Sequence, residues 1–140
     1  MPQPLPQYVQ DRIFDLATAM KDASEQGDAA ATAECYEEMR DYCLTLIHEG
    51  YECAALWETL GDFTRDDEQA LKFYDRALAC AGRDKEDIHG ILIAMGERHA
   101  DNRRHELARE LLSRGLHLAV AAGDADMVAR ADVLLSELPS

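Results

Sequence analysis

The sequence predicts an all-α protein of about seven antiparallel helices, and three observations predict it. All four prolines, Pro2, Pro4, Pro6 and Pro139, are terminal, so nothing between 7 and 138 carries the residue that most strongly breaks helices. Inside that window apolar residues recur at three- and four-residue steps, with no sustained alternation of the strand kind. Short turn signals interrupt them at regular intervals, among them Gly27-Asp28, Gly50, Gly82, Asp101-Asn102 and Gly123-Asp124.

The first helix is expected from Gln7 to Gln26, with Ile13, Leu16, Ala17, Met20 and Ala23 on its buried stripe. Gly27 stops it and Asp28 caps the next, by accepting backbone N–H bonds. Helix two, Ala29 to His48, buries Cys35, Tyr36, Met39, Cys43, Leu46 and Ile47, and Gly50 ends it. Helix three is short, Glu52 to Asp62, with Leu56, Trp57, Leu60 and Phe63 inward. Thr64 or Asp66 caps helix four, which buries Ala70, Leu71, Tyr74, Ala77 and Leu78 and closes at Gly82. Helix five spans Lys85 to Ala100, with Ile88, Leu92, Met95 and His99 on one side. Helix six, Arg104 to Ala121, buries Leu107, Ala108, Leu111, Leu112, Leu116 and Ala119. Helix seven, Ala125 to Leu138, presents Met127, Val128, Ala131, Leu134, Leu135 and Leu138. Turns this short force neighbours antiparallel, so the chain reads as a row of helical hairpins.

A length of 140 residues suits one domain, expected over 7–138 behind a short disordered segment at 1–6. The 28 acidic against 14 basic residues leave a formal charge of −14, which repels nucleic acid and anionic membranes and favours a basic partner. The charge is uneven: residues 1–62 hold 13 acids and 3 bases, a net of −10, whereas 63–140 net −4. The N-terminus has no basic start or apolar core of a secretion signal, and no apolar run approaches the roughly 20 residues of a membrane span. With Cys35, Cys43, Cys53 and Cys80 in helical apolar patterns and no C-x-x-C, the expectation is reduced core cysteines in a cytoplasmic protein.

The spacing repeats. From Leu92, Met95 follows at three, Gly96 at four, His99 at seven, Ala108 at sixteen, Leu112 at twenty and Gly115 at twenty-three. A second copy starts at Trp57, with Leu60, Gly61, Ala70, Tyr74 and Ala77, and is three residues shorter in its connection. A degenerate first copy runs from Leu16 through Ala19, Met20 and Ala23 to Thr32, Tyr36 and Met39. These residues resemble the tetratricopeptide pattern, in which small residues let two helices approach and large ones fill the gap between hairpins. The starts at 16, 57 and 92 lie 41 and 35 apart, against the ~34 of that repeat class, and no copy has its closing proline. The resemblance implies three stacked hairpins, with helix seven as a capping helix.

It also implies a binding face, since the first helix of each hairpin lines the concave side of such stacks. By position that face holds Phe14, Lys21 and Glu25 from helix one, Glu58 and Asp62 from helix three, and Ile93, Glu97 and Asp101 from helix five. Acids outnumber bases there five to one, with Phe14 and Ile93 as apolar anchors, which suits a basic segment. The plain alternative is a solvated face.

No glycine-rich phosphate loop, G-x-S-x-G elbow or H-E-x-x-H is present, and no catalytic constellation or cofactor is expected. Cys43-x4-His48-x4-Cys53 crosses the Gly50 turn without recognised zinc spacing. Arg98, Arg103, Arg104, Arg109 and Arg114 gather near helices five and six, but interspersed acids favour intramolecular ion pairing over nucleic-acid binding. The leading expectation is a non-enzymatic module that holds or neutralises one protein partner. Small acidic repeat proteins of this kind resemble bacterial immunity proteins and class II chaperones of type III secretion. Scarce lysine (Lys21, Lys72, Lys85) beside plentiful arginine and alanine hints at a GC-rich bacterial genome. A regulatory domain binding a small ligand or peptide in its groove is the competing expectation.

Overall fold

The computed structural model describes residues 4–139, which form seven α-helices and no strand. They are α1 (Gln7–Glu25), α2 (Ala29–Leu46), α3 (Ala54–Phe63), α4 (Asp67–Asp84), α5 (His89–Asp101), α6 (His105–Ala122) and α7 (Ala125–Ser136). The helices pack as successive antiparallel pairs, α1 on α2, α3 on α4 and α5 on α6, and α7 lies against both α5 and α6. Consecutive pairs meet through α2 with α3 and α4 with α5.

The punctuation read from the sequence operates as physical chemistry dictates. Gly27 and Gly123 take positive φ (+71° and +72°), the backbone state glycine enters without a Cβ penalty. The aspartate that follows each caps the next helix: Asp28 accepts from the Ala31 N–H at 3.0 Å, and Asp124 from the Met127 N–H at 3.3 Å. At the α3–α4 turn the cap is Asp66 rather than Thr64, since Asp66 accepts from the Glu68 N–H. Thr64 is buried instead, its hydroxyl donating to the Leu60 carbonyl oxygen at 2.6 Å.

Several boundaries differ from expectation. Helix two does not run smoothly to His48; it widens into a π-helical turn over Ile47–Tyr51, which Gly50 leaves at φ +102°. Helix four continues past Gly82 to Asp84, and Lys85 at φ +57° closes it, so α5 starts only at His89. Of the segment expected to be disordered, residues 1–3 lie outside the described residues. Leu5 packs on the core and the Pro6 carbonyl accepts from the Val9 N–H, so ordered chain begins before Gln7.

One core runs from α1 to α5 around Met39, Leu56, Leu60 and Tyr74, and a smaller one joins α5, α6 and α7 through Ile93, Ala108, Leu112 and Ala131. Leu107, expected inside, is 41% exposed on α6. Val9, Phe73 and Ile91 are buried without having been singled out from the sequence. The small residues do allow close crossings. A Cβ on Gly96 would lie 2.7 Å from Leu112, and one on Gly61 would lie 2.6 Å from the Tyr74 ring. The second core is tied to α5 by a polar contact as well, the His89 Nε2–Asp124 Oδ2 hydrogen bond at 2.9 Å. Asp124 thus holds both the start of α7 and its anchor on α5. Asp124→Ala is expected to speed amide hydrogen exchange several-fold throughout α7 while leaving α3 and α4 unchanged, as read by exchange mass spectrometry.

Candidate functional site: a cleft between the first two hairpins

An open cleft of about 810 Å³ separates the first hairpin from the tip of the second and reaches the end of α5. One wall comes from α1 and α2, where Lys21, Ser24, Ala29 and Ala33 line it; short side chains at three of these four positions leave the room. The other wall is the α3–α4 turn, with Phe63, Thr64, Arg65 and Asp66. Met20 and Tyr36 contribute to the base, and Asp62, Arg98 and Asp101 close the far side. The Tyr36 hydroxyl and Thr64 Oγ1 are 2.8 Å apart, which ties α2 to the end of α3 across the cleft floor.

Arg98 fixes the second wall. Its guanidinium donates to the Gly61 carbonyl at 2.9 Å and the Asp62 carbonyl at 3.3 Å, the unsatisfied acceptors at the end of α3. It also donates to the Arg65 carbonyl and to Asp67 Oδ1 at 2.9 Å, so one cation from α5 holds α3, the turn and α4 together. The Arg98 guanidinium, then the Asn102 amide, holds the Asp67 carboxyl below its usual range. Arg104 likewise reaches Glu68 on α4 at 3.2 Å. The arginines of helices five and six therefore include intramolecular ties between hairpins.

Asp62 lines the cleft and accepts a 2.7 Å hydrogen bond from the Tyr74 hydroxyl. The surrounding protein pushes its carboxyl upward, more than the Tyr74 hydroxyl and Arg98 pull it down, and Glu97 adds to the rise. The group remains exposed at the surface, because a concave wall surrounds a side chain with protein yet leaves water an approach; water access moderates that rise. Burial likewise keeps the Tyr74 hydroxyl protonated.

Glu58, one turn before Asp62, lies beside the start of α5, its Oε2 3.5 Å from where a Cβ on Gly90 would stand. Burial first, then the Asp62 charge, push the Glu58 carboxyl up to about 7 against the pull of His89. The folded protein therefore keeps a proton that the unfolded chain releases near 4.5, so this site lowers stability as pH rises from about 4.5 to about 7. Glu58→Gln is expected to leave Tm unchanged near pH 4.5 and to raise it at pH 8, a comparison that paired thermal melts provide.

Of the eight residues expected on a binding face, Lys21, Asp62 and Asp101 line this cleft. Phe14 is 69% exposed on α1, and Glu25 is exposed one residue beyond Ser24. Glu58 is half-buried towards α5, and Glu97 is ion-paired to Arg130 of α7. Ile93 requires correction as an apolar anchor: it is 3% exposed, wedged between α5 and α6 where a Cβ on Gly115 would meet it. The five-to-one acid excess is also corrected for the cleft itself. With Arg98 paired to Asp67, its lining retains Asp62, Asp66 and Asp101 against Lys21 and Arg65.

Sequence reasoning missed Tyr36, Arg98 and Arg65 as parts of a site. Arg98 carried a signal, as a cation in the last turn of a helix beside an aspartate-rich turn, but its target was a neighbouring helix end. Among the described residues no group of three metal-ligating side chains comes together, and no helix is long and apolar enough to cross a membrane. The four cysteines are free thiols, and burial, followed by the neighbouring Cys53, pushes Cys43 up to about 12. Comparison with protein families, with curated protein sequences and with solved structures returned no match.

Proposed function

We propose that this chain is a non-enzymatic protein-binding module, tetratricopeptide-like in build, that grips a basic segment of one partner protein and holds or neutralises it. The observation that carries the reading is the cleft: an open space with apolar lining at Met20 and Phe63, walls from five helices and a turn, and more unpaired carboxylates than cations. The hairpin order and the close crossings at Gly61 and Gly96 support the repeat reading. An acidic chain with a small apolar base favours charge-steered encounter and a few apolar contacts for residence. Four free thiols fit a cytoplasmic setting. Between the two group resemblances, an immunity-type inhibitor fits degenerate repeats dedicated to one partner, and a secretion-type chaperone is the alternative.

A second reading rests on the cleft volume, which lies within the roughly 300–1,000 Å³ of small-ligand sites. Affinity capture from the native host, with the bound proteins identified by mass spectrometry, separates the two. The expected result is one basic protein retained by the natural chain and lost with Ala33→Trp, which fills the cleft from an exposed position. Several weakly retained secreted proteins would favour the chaperone. A sharp thermal-shift hit from a small-molecule screen with no protein retained would overturn the protein-binding reading.

A further inference from the structure

The exposed face of α1 adjoins the cleft and, among the described residues, is covered by nothing else. Asp11, Asp15, Asp22 and Glu25 recur at helical spacing on one side of α1, all exposed, opposite the buried row Val9, Leu16, Met20 and Ala23. None of these four carboxylates joins an ion pair among the described residues; Asp11 accepts only from the Gln7 amide. The two arginines of this hairpin are already engaged, Arg12 with Glu38 and Arg40 with Asp41. Phe14 stands out along the edge of this face nearest the cleft. Lys21, which lines the cleft, falls on the row Phe14, Thr18, Lys21, Glu25, so cleft and face share an edge.

We infer that the bound segment is an extended, arginine- or lysine-bearing stretch of about a dozen residues that fills the cleft and continues along the α1 face past Phe14. This rests on the protein-binding reading above and adds the form and length of what is bound. Charge complementarity gives the sign: a cationic segment relieves four unpaired carboxylates on α1 and meets Asp62 and Asp101 in the cleft. The span gives the length. Asp11 to Glu25 covers roughly 21 Å at the helical rise, which an extended chain crosses with about six residues, and the cleft takes the remainder. The conformation follows from the shortage of apolar contacts. A docked helix needs a row of apolar anchors at three- and four-residue steps, whereas this side of α1 offers only Tyr8 and Phe14, six residues apart. Lys21, at the junction, opposes such a segment.

Fluorescence anisotropy with labelled Arg-Ala repeat peptides of roughly twelve and roughly six residues tests this, with a Glu-Ala peptide as control. The long peptide is expected to bind at least several-fold more tightly than the short one and to weaken steeply with salt. The triple variant Asp15→Asn, Asp22→Asn, Glu25→Gln should weaken the long peptide by about tenfold and narrow its advantage over the short one. Lys21→Gln should tighten both, and circular dichroism establishes that each variant is folded. Equal binding of long and short peptides, no effect of the triple variant, or binding of the Glu-Ala peptide would overturn the inference. If those results came with a captured partner still sensitive to Ala33→Trp, the protein-binding reading would stand and only the length and charge of its occupant would fall.

Discussion

Tyr74→Ala is expected to cost about 4 kcal/mol of stability and to lower Tm by roughly 12 °C. Tyr74 is 2% exposed, and its ring rests on the backbone at Gly61, where a Cβ would lie only 2.6 Å away. Truncation therefore removes a large buried ring and leaves a void that the close α3–α4 crossing cannot collapse to fill. The hydroxyl has a second effect, because it donates to Asp62 in the cleft. Tyr74→Phe keeps the ring and should cost only about 1 kcal/mol, while raising the Asp62 pKa further, since a contact that favours the ionised form is lost. Urea unfolding measures the first quantity and an NMR titration of the Asp62 carboxyl the second. Equal stability of the Ala and Phe variants would refute the packing argument; an unmoved Asp62 would refute the electrostatic one.

The second large effect concerns the α5–α6 crossing. Leu112→Ala is expected to cost about 3 kcal/mol, because Leu112 is fully buried and its branch point lies against Gly96. Gly96→Val alone should cost about 2 kcal/mol through overpacking, since its Cβ would meet Leu112 at 2.7 Å. The double variant is expected to cost at least 1 kcal/mol less than the two added together, as the new side chain enters the space the leucine vacated. Strict additivity would mean that the two positions do not share that space.

The sequence located the helices well, because periodicity and turn chemistry are local. The identical Gly27-Asp28 and Gly123-Asp124 pairs gave matching turns and caps at both places. It did less well at Ile47–Tyr51 and at Lys85–Ile88, where helix ends turn on π-helical widening and on a lysine at positive φ, for which no residue type is a reliable sign. The candidate site was legible in part. Lys21, Asp62 and Asp101 were singled out by repeat position, and the structure brings them into one cleft. Ile93 failed because an apolar residue on a helix has the same signature whether it faces a groove or the next helix, and only the close approach at Gly115 decides which.

By itself, the amino-acid order determined that the chain is helical, where it turns, which small residues sit at crossings, and that its first half is strongly acidic. Those properties depend on spacing within a turn or two of helix and on a sum of charges. Tertiary structure alone decided which acids remain unpaired and where an opening forms. Arg98 reaches from α5 to α3 and α4, Arg130 neutralises Glu97 from α7, and the first hairpin stands off the tip of the second. Each of these is a meeting of groups far apart in sequence, set by how the hairpins stack.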